Sequence, residues 1–137
     1  MSQRLLVFQS MWAMERRHGD GFERSLEENL RMIAGAGFDG ISAHYADRAE
    51  VRRLAALRKT YGLDVEGQCF PRTVDDLQPV LENATESGVH HIDLQPDVRP
   101  RGTAEAVTLL VGWSRLAEQV GLPVSTETHR YRMTMDL

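Results

Sequence analysis

The sequence contains a single cysteine, Cys69, among its 137 residues, so no disulfide can form within the chain. A reducing cytoplasm is therefore the compartment that we expect. No apolar run approaches the roughly 18 residues that cross a bilayer, and the amino-terminal segment has no signal-peptide pattern. The sequence thus predicts a protein without a membrane partner.

Basic residues are too few and too scattered to predict a nucleic-acid surface. The chain has 16 Lys and Arg against 20 Asp and Glu, which gives a net charge of −4. Nucleic acids and anionic membranes select a basic stripe, so we expect neither as a partner. The composition, 42% hydrophobic and 26% charged, is typical of one globular unit, and we predict that residues 1–137 form a single domain.

Four segments share one local pattern, in which an amphipathic helix ends at a glycine and an apolar strand follows. Glycine is favoured just beyond a helix because it adopts the left-handed conformation without a Cβ clash. Three helix starts carry pairs that resemble N-caps, and Thr103 opens the fourth helix. The glycines are Gly37, Gly62, Gly88 and Gly121, and the pairs are Ser25 with Glu28, Asp47 with Glu50, and Thr73 with Asp76.

Five apolar segments predict strands between these helices. Their order with the helices, βαβαβαβαβ, requires a parallel sheet with right-handed crossovers. Five strands and four helices fit either an open doubly wound sheet or the first part of an eight-fold barrel, whose usual length is about 250 residues. The predicted strands cover residues 5–8, 38–45, 63–70, 89–96 and 122–129.

Polar side chains follow the apolar part of each predicted strand. In both architectures, functional residues gather at the carboxyl ends of the strands. Each strand passes from aliphatic residues into side chains that form hydrogen bonds or bind metals, which predicts a ligand-binding rim. These side chains include His44, Gln68, Gln95, Glu127 and His129.

Glu127 and His129 are two residues apart, so both project from one side of an extended strand. A carboxylate and an imidazole suit a divalent cation, and either group can instead act as a general acid or base. A surface pair at a strand end is an equal alternative. No spacing matches a closed zinc site, and one cysteine excludes a thiolate cluster.

Two further groups are weaker candidates. His90 and His91 are adjacent, so only one of them can face a barrel interior, and we interpret both as structural. Arg99 and Arg101 lie between prolines just before Thr103, in a loop that is either solvated or able to hold a phosphate beside helix-terminal amides.

Several segments resemble the sugar phosphate isomerase/epimerase group of the xylose isomerase-like barrel superfamily, which also includes endonuclease IV. They are FQSMWAM, FDGIS, HIDLQPDVRPR and above all ETHRYRMTMDL. The resemblance runs over essentially the whole chain and implies a partial (β/α)8 TIM barrel. It implies that Glu127 is a metal ligand and that His129 and Arg130 lie near metal or substrate. The group's other ligands, an aspartate, a histidine and a second glutamate, come from strands six to eight, which this sequence does not contain.

The resemblance therefore implies a metal-dependent isomerase or epimerase of a sugar or sugar phosphate, incomplete and inactive as this chain alone. The segment TMDL resembles the start of a fifth helix, which predicts the amino-terminal portion of a longer barrel. The implied cofactor is Mn, Mg or Zn, bound only if the remaining ligands are supplied. The implied catalytic residues are Glu127 and His129, and the implied substrate-binding residues are His44, Gln68, Gln95 and Arg130.

Two other functions compete with this one. The first is a non-enzymatic partial-barrel scaffold that self-associates through its open edge and binds small anions. The second is phosphodiester cleavage, as in the DNA-repair relatives, which the acidic charge and the absence of a basic groove disfavour.

Overall fold

The computed structural model describes residues 4–99, 102–129 and 132–133. Strands and α-helices alternate along these residues, with short 3₁₀ turns at Trp12–Met14 and Asp75–Leu77. The strands are β1 (Phe8–Ser10), β2 (Gly40–His44), β3 (Asp64–Cys69), β4 (Ile92–Leu94) and β5 (Val124–Thr126), and the helices are α1 (Leu26–Gly35), α2 (Arg48–Tyr61), α3 (Gln78–Ser87) and α4 (Thr103–Val120).

The five strands form one parallel sheet in the order β1-β2-β3-β4-β5. A doubly wound sheet instead reverses its strand order part-way, for example 3-2-1-4-5-6. The sequential order excludes that alternative and is the order of a barrel segment. Because right-handed crossovers carry every helix to the same side, the helices cover one face of the sheet and leave the other face open.

Local capping signals place the helix starts as the sequence predicts. Ser25 and Glu28 form a complete capping box at α1, and the Asp47 carboxylate accepts hydrogen bonds from two backbone amides of α2. Thr73 and Asp76 exchange hydrogen bonds in the same reciprocal way, although the turn that follows them is a 3₁₀ turn and α3 begins only after it. Each carboxylate or hydroxyl satisfies amides that the helix itself leaves without partners.

The ends of α2, α3 and α4 also follow the prediction, whereas α1 ends at Gly35, two residues before Gly37, whose φ angle of 85° is likewise left-handed. Gly62, Gly88 and Gly121 have φ angles of 66°, 70° and 68°, in the left-handed region that favours glycine. Each therefore ends its helix and turns the chain directly into the next strand.

The hydrophobic core lies between the helices and the face of the sheet that they cover. Leu30, Ile41, Leu77 and Ile92 are fully buried there, and Trp113 is the largest buried side chain. The burial pattern of β3 alternates strictly, which is the signature of a strand with one face in the core. No helix in the described part of the chain combines the length and the apolar character that crossing a membrane requires.

Two details differ from the sequence prediction. The apolar run at residues 5–8 predicts a strand, but β1 begins at Phe8, and Leu5 is 86% exposed. The pairing of β1 with β2 determines where β1 begins, since Phe8 lies opposite Gly40, the first residue of β2. Val120 belongs to the predicted apolar stripe of α4 but is 45% exposed, at the last residue of the helix.

Cys69 provides a probe of this core. Burial raises the pKa of its thiol to about 12, so at pH 8 the folded protein holds almost no thiolate, which is the reactive form. We expect native Cys69 to react with a disulfide reagent at least about a thousand-fold more slowly than the urea-unfolded chain, in proportion to the unfolded fraction. Equal rates would contradict this burial.

The same shift has a defined effect on stability. A raised folded-state pKa means that folding favours the neutral thiol. Its contribution is complete below the ordinary thiol pKa of 9.0 and is lost as the pH rises from there towards about 12. Urea denaturation at pH 8 and pH 10 measures this loss of stability. The difference in the free energy of unfolding between the two pH values is expected to be smaller in Cys69→Ala than in the wild type.

Candidate active site

The open face of the sheet carries polar side chains in rows. Strand pairing aligns Ser42 with Glu66, and aligns Gln68 with Asp93 and Ser125. Their neighbours along each strand, such as Val65 and Cys69, point the other way into the core. Because successive strand residues alternate between faces, the acidic and amide side chains of β3, β4 and β5 collect on one side.

Asp93 and Glu127 form a hydrogen-bonded carboxyl pair at the carboxyl ends of β4 and β5. The backbone amide of Glu127 donates to the Leu94 carbonyl at 2.8 Å, which extends the β4–β5 pairing by one residue. The Gln95 amide donates to Glu127 Oε2 at 2.5 Å and contacts Asp93 Oδ2 at 3.4 Å. Ser125 Oγ donates to Asp93 Oδ1 at 2.9 Å. Gln95 and Ser125 thus fix both carboxyl groups.

The pKa of Glu127 is shifted upwards from the ordinary value of a glutamate. Partial desolvation raises the pKa of Glu127, and the hydrogen bond with Asp93 and the negative charges of Asp93 and Glu66 raise it further. His129 acts in the opposite direction. Glu127 therefore binds a proton more readily than an ordinary glutamate, and in its protonated form it can donate a hydrogen bond to Asp93.

The sequence-predicted residues of β5 have different outcomes. Glu127 lies at the rim in contact with Gln95, as the alternation along the strand predicts. His129 is exposed, and its charge influences Glu127. Arg130 lies outside the described residues.

His44 and Gln68 occupy one row on β2 and β3, since they are direct partners in the register. His44 is exposed and its ring lies against Phe70, with 5.6 Å between the ring centres and a tilt of 30°. Gln68 is half-buried beside Asp93 in the pairing of β3 with β4. Four predicted rim residues, namely His44, Gln68, Gln95 and Glu127, thus share the open face.

A second polar group lies deeper on the same face. Glu66 accepts a hydrogen bond from Ser42 Oγ at 2.9 Å and lies 3.1 Å from His91 Nδ1. His91 therefore faces the open side, and His90 is exposed. The alternation predicts that only one of the two histidines faces inward, and the contact with Glu66 shows that it is His91.

Ion pairs connect the loops that follow β3 and β4 at the rim. Asp97, in the loop after β4, binds Arg72 of the loop after β3 at 2.7 Å and also pairs with Arg132. The backbone supports this link, because the Asp97 amide donates to the Pro71 carbonyl at 3.0 Å. Arg99 is exposed and Arg101 lies outside the described residues, so the predicted phosphate loop stays a prediction.

The described residues do not complete a metal site. Across residues 4–99, 102–129 and 132–133, no three His, Cys, Asp or Glu side chains are grouped as a metal ion requires. The Asp93–Glu127 pair offers carboxylate oxygens that suit Mg²⁺ or Mn²⁺, but a further ligand is needed. The donor set therefore fits part of a site only.

Sequence reasoning missed Asp93 and Glu66, the two carboxylates that give the face its charge. Each stands two residues before an amide that was recognised, Gln95 and Gln68 respectively. Since residues two apart share a face, the rule that joins Glu127 with His129 also finds both carboxylates.

Solved structures share this fold. A D-tagatose 3-epimerase-like protein matches with a TM-score of 0.60 and 17% identity, over 80% of this chain and 52% of its own length. A sialic acid aldolase from Ruminococcus gnavus matches with a TM-score of 0.64 and 12% identity, over 88% and 42% respectively. The chain is part of a TIM barrel. A deoxyribose phosphate aldolase from Aeropyrum pernix has a TM-score of 0.56 at 16% identity, over 87% and 49%.

This TIM-barrel segment spans about half the length of those proteins. The identities are low, so the matches establish the fold and not an activity. No protein-family model and no curated protein matches the chain.

Proposed function

We propose that this TIM-barrel segment carries part of the catalytic face of a sugar or sugar phosphate isomerase or epimerase of the xylose isomerase-like group. The observation that supports it is the Asp93–Glu127 carboxyl pair at the carboxyl ends of adjacent strands, where barrel enzymes hold their catalytic residues. The structural match to a D-tagatose 3-epimerase-like protein agrees with this choice.

The pair suits proton transfer at a carbon beside a carbonyl group. Isomerisation and epimerisation by proton transfer both remove a proton from such a carbon; isomerisation returns one to the neighbouring carbon, and epimerisation returns one to the opposite face of the same carbon. Two neighbouring carboxyl groups can divide these tasks when one is ionised and accepts a proton while the other is neutral and donates one. In our proposal Asp93 is the base and Glu127 the acid, with His129 modulating the charge of Glu127.

The amides and imidazole of the same face orient the substrate. Gln95 holds the two carboxyl groups, and Gln68 and His44 present hydrogen-bonding groups in the next row. Arg130, which belongs to the same segment as Glu127, is proposed to bind a substrate oxygen or phosphate. A polyhydroxylated ligand satisfies such a set of donors and acceptors.

A divalent metal (Mn, Mg or Zn) belongs to the proposal only conditionally. Glu127 is its proposed ligand, and a complete site requires ligands from residues beyond those that the structure describes. When bound, such a metal polarises carbonyl and hydroxyl oxygens. We also propose a cytoplasmic location, in which the buried thiol of Cys69 stays reduced.

The aldolase neighbours suggest a different chemistry, which this chain supports less well. The Ruminococcus gnavus enzyme is named for a catalytic lysine. The only lysine here is Lys59, in the last turn of α2, at the opposite end of the strands from the rim. The chemistry that the open face itself carries is therefore that of carboxyl groups.

Ligand binding tests the proposed function without requiring turnover, which we expect to be negligible for this chain alone. A ketohexose titrated into the labelled protein is expected to shift the side-chain amide signals of Gln95 and Gln68. Asp93→Asn and Glu127→Gln are each expected to weaken binding about ten-fold or more, because each replaces a carboxyl group, which can form a charge-assisted hydrogen bond, by a neutral amide.

Glu118→Gln is the matched control, since Glu118 is an exposed carboxylate on α4 away from the rim. Equal binding by all three variants would contradict a role for the carboxyl pair. The same variants titrated with Mn²⁺ test the conditional metal site.

Exposed apolar residues support the competing proposal of a self-associating scaffold. Within the described residues β1 and β5 are the end strands of the sheet, and Leu5, Leu6 and Val7 beside β1 are 86%, 43% and 47% exposed. An uncovered strand edge with apolar neighbours is a template for pairing with another chain. Arg99 is the proposed ligand for small anions in this scaffold.

We expect light scattering to find oligomers at micromolar concentration. The double variant Leu5→Lys with Val7→Lys is expected to raise the dissociation constant of these oligomers about ten-fold, and so to favour the monomer. Met32→Lys is the control, because Met32 is 44% exposed on α1, away from the sheet edge. A wild-type monomer at all concentrations would contradict association. Phosphate binding that is lost in Arg99→Ala, without ketohexose binding, would favour the scaffold over the enzyme.

A further inference from the structure

The deeper polar group, made of Ser42, Glu66 and His91, has the form of an oriented imidazole. Glu66 Oε2 accepts from Ser42 Oγ at 2.9 Å, and Glu66 Oε1 lies 3.1 Å from His91 Nδ1. An ionised carboxylate can only accept hydrogen bonds, so Nδ1 must carry a proton. In neutral His91 the lone pair is therefore on Nε2.

Nε2 has no protein partner among the described residues, and the side chain of His91 is 36% exposed. A carboxylate that fixes the tautomer of a histidine and leaves its second nitrogen open is the arrangement that proteins use to present a hydrogen-bond acceptor. A purely structural Glu–His pair needs no third residue, yet Ser42 holds the far oxygen of Glu66.

The position of His91 relative to the rim defines what such an acceptor would bind. His91 precedes Gln95 by four residues along β4, which corresponds to about 13 Å of extended chain, with Asp93 half-way. Every second residue along this part of the chain therefore places a polar side chain on the open face, from Gln95, beside Glu127, through Asp93 to His91.

This continuity is unusual for a barrel interior. Inward-facing positions of TIM barrels are dominated by bulky branched residues that fill the centre. Here the corresponding positions on β2, β3 and β4 are serine, glutamate, glutamine, histidine and aspartate. A polar face of this depth is built for water or for a ligand with many hydroxyl groups.

We propose that Ser42, Glu66 and His91 form the inner end of a binding groove for a linear polyhydroxylated ligand, with His91 Nε2 accepting a hydrogen bond from a hydroxyl group near one end of it. The ligand's other end lies at Gln95 and Glu127. The proposal rests on the proposed function, and it specifies an open-chain substrate of five or six carbons over a short triose.

Polyols of different length test the groove because they have hydroxyl groups but no carbonyl group to react. Sorbitol is expected to shift both the Gln95 side-chain amide and the His91 ring nitrogens in NMR spectra of the full chain. Glycerol is too short to span the rows and is expected to affect one row at most. The 15N shift of His91 Nε2 reports directly on a new hydrogen bond, and it needs no variant.

His91→Phe removes the acceptor and is expected to weaken sorbitol binding about two- to ten-fold. His90→Phe is the matched control, since His90 is the exposed neighbour. If sorbitol shifts Gln95 but never His91, the inner subsite is wrong and the proposed function stands. If neither signal moves with sorbitol, the groove is wrong, and ketohexose binding then decides the proposed function separately.

Discussion

Replacement of Trp113 by alanine is expected to lower the free energy of unfolding by about 3–5 kcal/mol. Trp113 is 1% exposed and is the largest fully buried side chain, in the middle of α4. Its indole nitrogen donates to the Thr73 carbonyl at 2.8 Å, in the loop between β3 and α3. The alanine variant therefore loses packing and also leaves the Thr73 carbonyl without its donor.

Trp113→Phe separates these two contributions. Phenylalanine keeps most of the apolar area but has no N–H, so we expect a loss of about 1–2 kcal/mol. Trp12→Ala is the matched control, since Trp12 is 80% exposed and should cost less than about 0.5 kcal/mol. Urea denaturation followed by circular dichroism measures all three. A Trp113→Ala variant as stable as Trp12→Ala would contradict the packing described for α4.

The same contact links stability to the rim. Thr73 is adjacent to Arg72, whose guanidinium binds Asp97 of the next loop. Trp113→Ala should therefore loosen the loop after β3 as well as the core, and we expect its ligand affinity at the rim to fall even at temperatures where the variant is folded.

Local chemistry made the helices and their boundaries predictable. The capping box at Ser25 and the left-handed glycines at Gly62, Gly88 and Gly121 depend on residues within one turn of chain, so the sequence contains all the necessary information. The parallel order of the strands follows from the alternation of helix and strand.

Features that depend on pairing between distant residues were not predictable in this way. The start of β1 is set by the register of Phe8 with Gly40, and the apolar run before it gave no sign that Leu5 would be exposed. The alternation along β4 alone places Asp93 on the open face, but its contact with Glu127 also depends on the β4–β5 register, which the local sequence does not contain. The local sequence pattern predicts which residues lie at the rim, whereas the strand register determines which of those residues are in contact.

Arg58→Met is expected to destabilise the fold by about 2–3 kcal/mol at the end of the sheet opposite the rim. The Arg58 guanidinium donates to the carbonyls of Leu63, Ser87 and Gly88 at 3.3, 3.0 and 3.4 Å, and lies 3.7 Å from Asp64. It thus joins the junction of α2 with β3 to the junction of α3 with β4. The side chain is only 13% exposed, so salt screens these interactions little.

Methionine fills a similar volume without any donor and leaves carbonyls at two helix ends unpaired. Arg58→Lys keeps the charge but not the planar fork, so we expect it to recover only part of the loss. Arg53→Met is the matched control, because Arg53 is exposed on α2 and its loss should stay within about 0.5 kcal/mol. Since Arg58 is remote from Glu127, ligand binding by folded Arg58→Met should match wild type. Equal stability of the Arg58→Met and Arg53→Met variants would show that these hydrogen bonds do not hold the two junctions together.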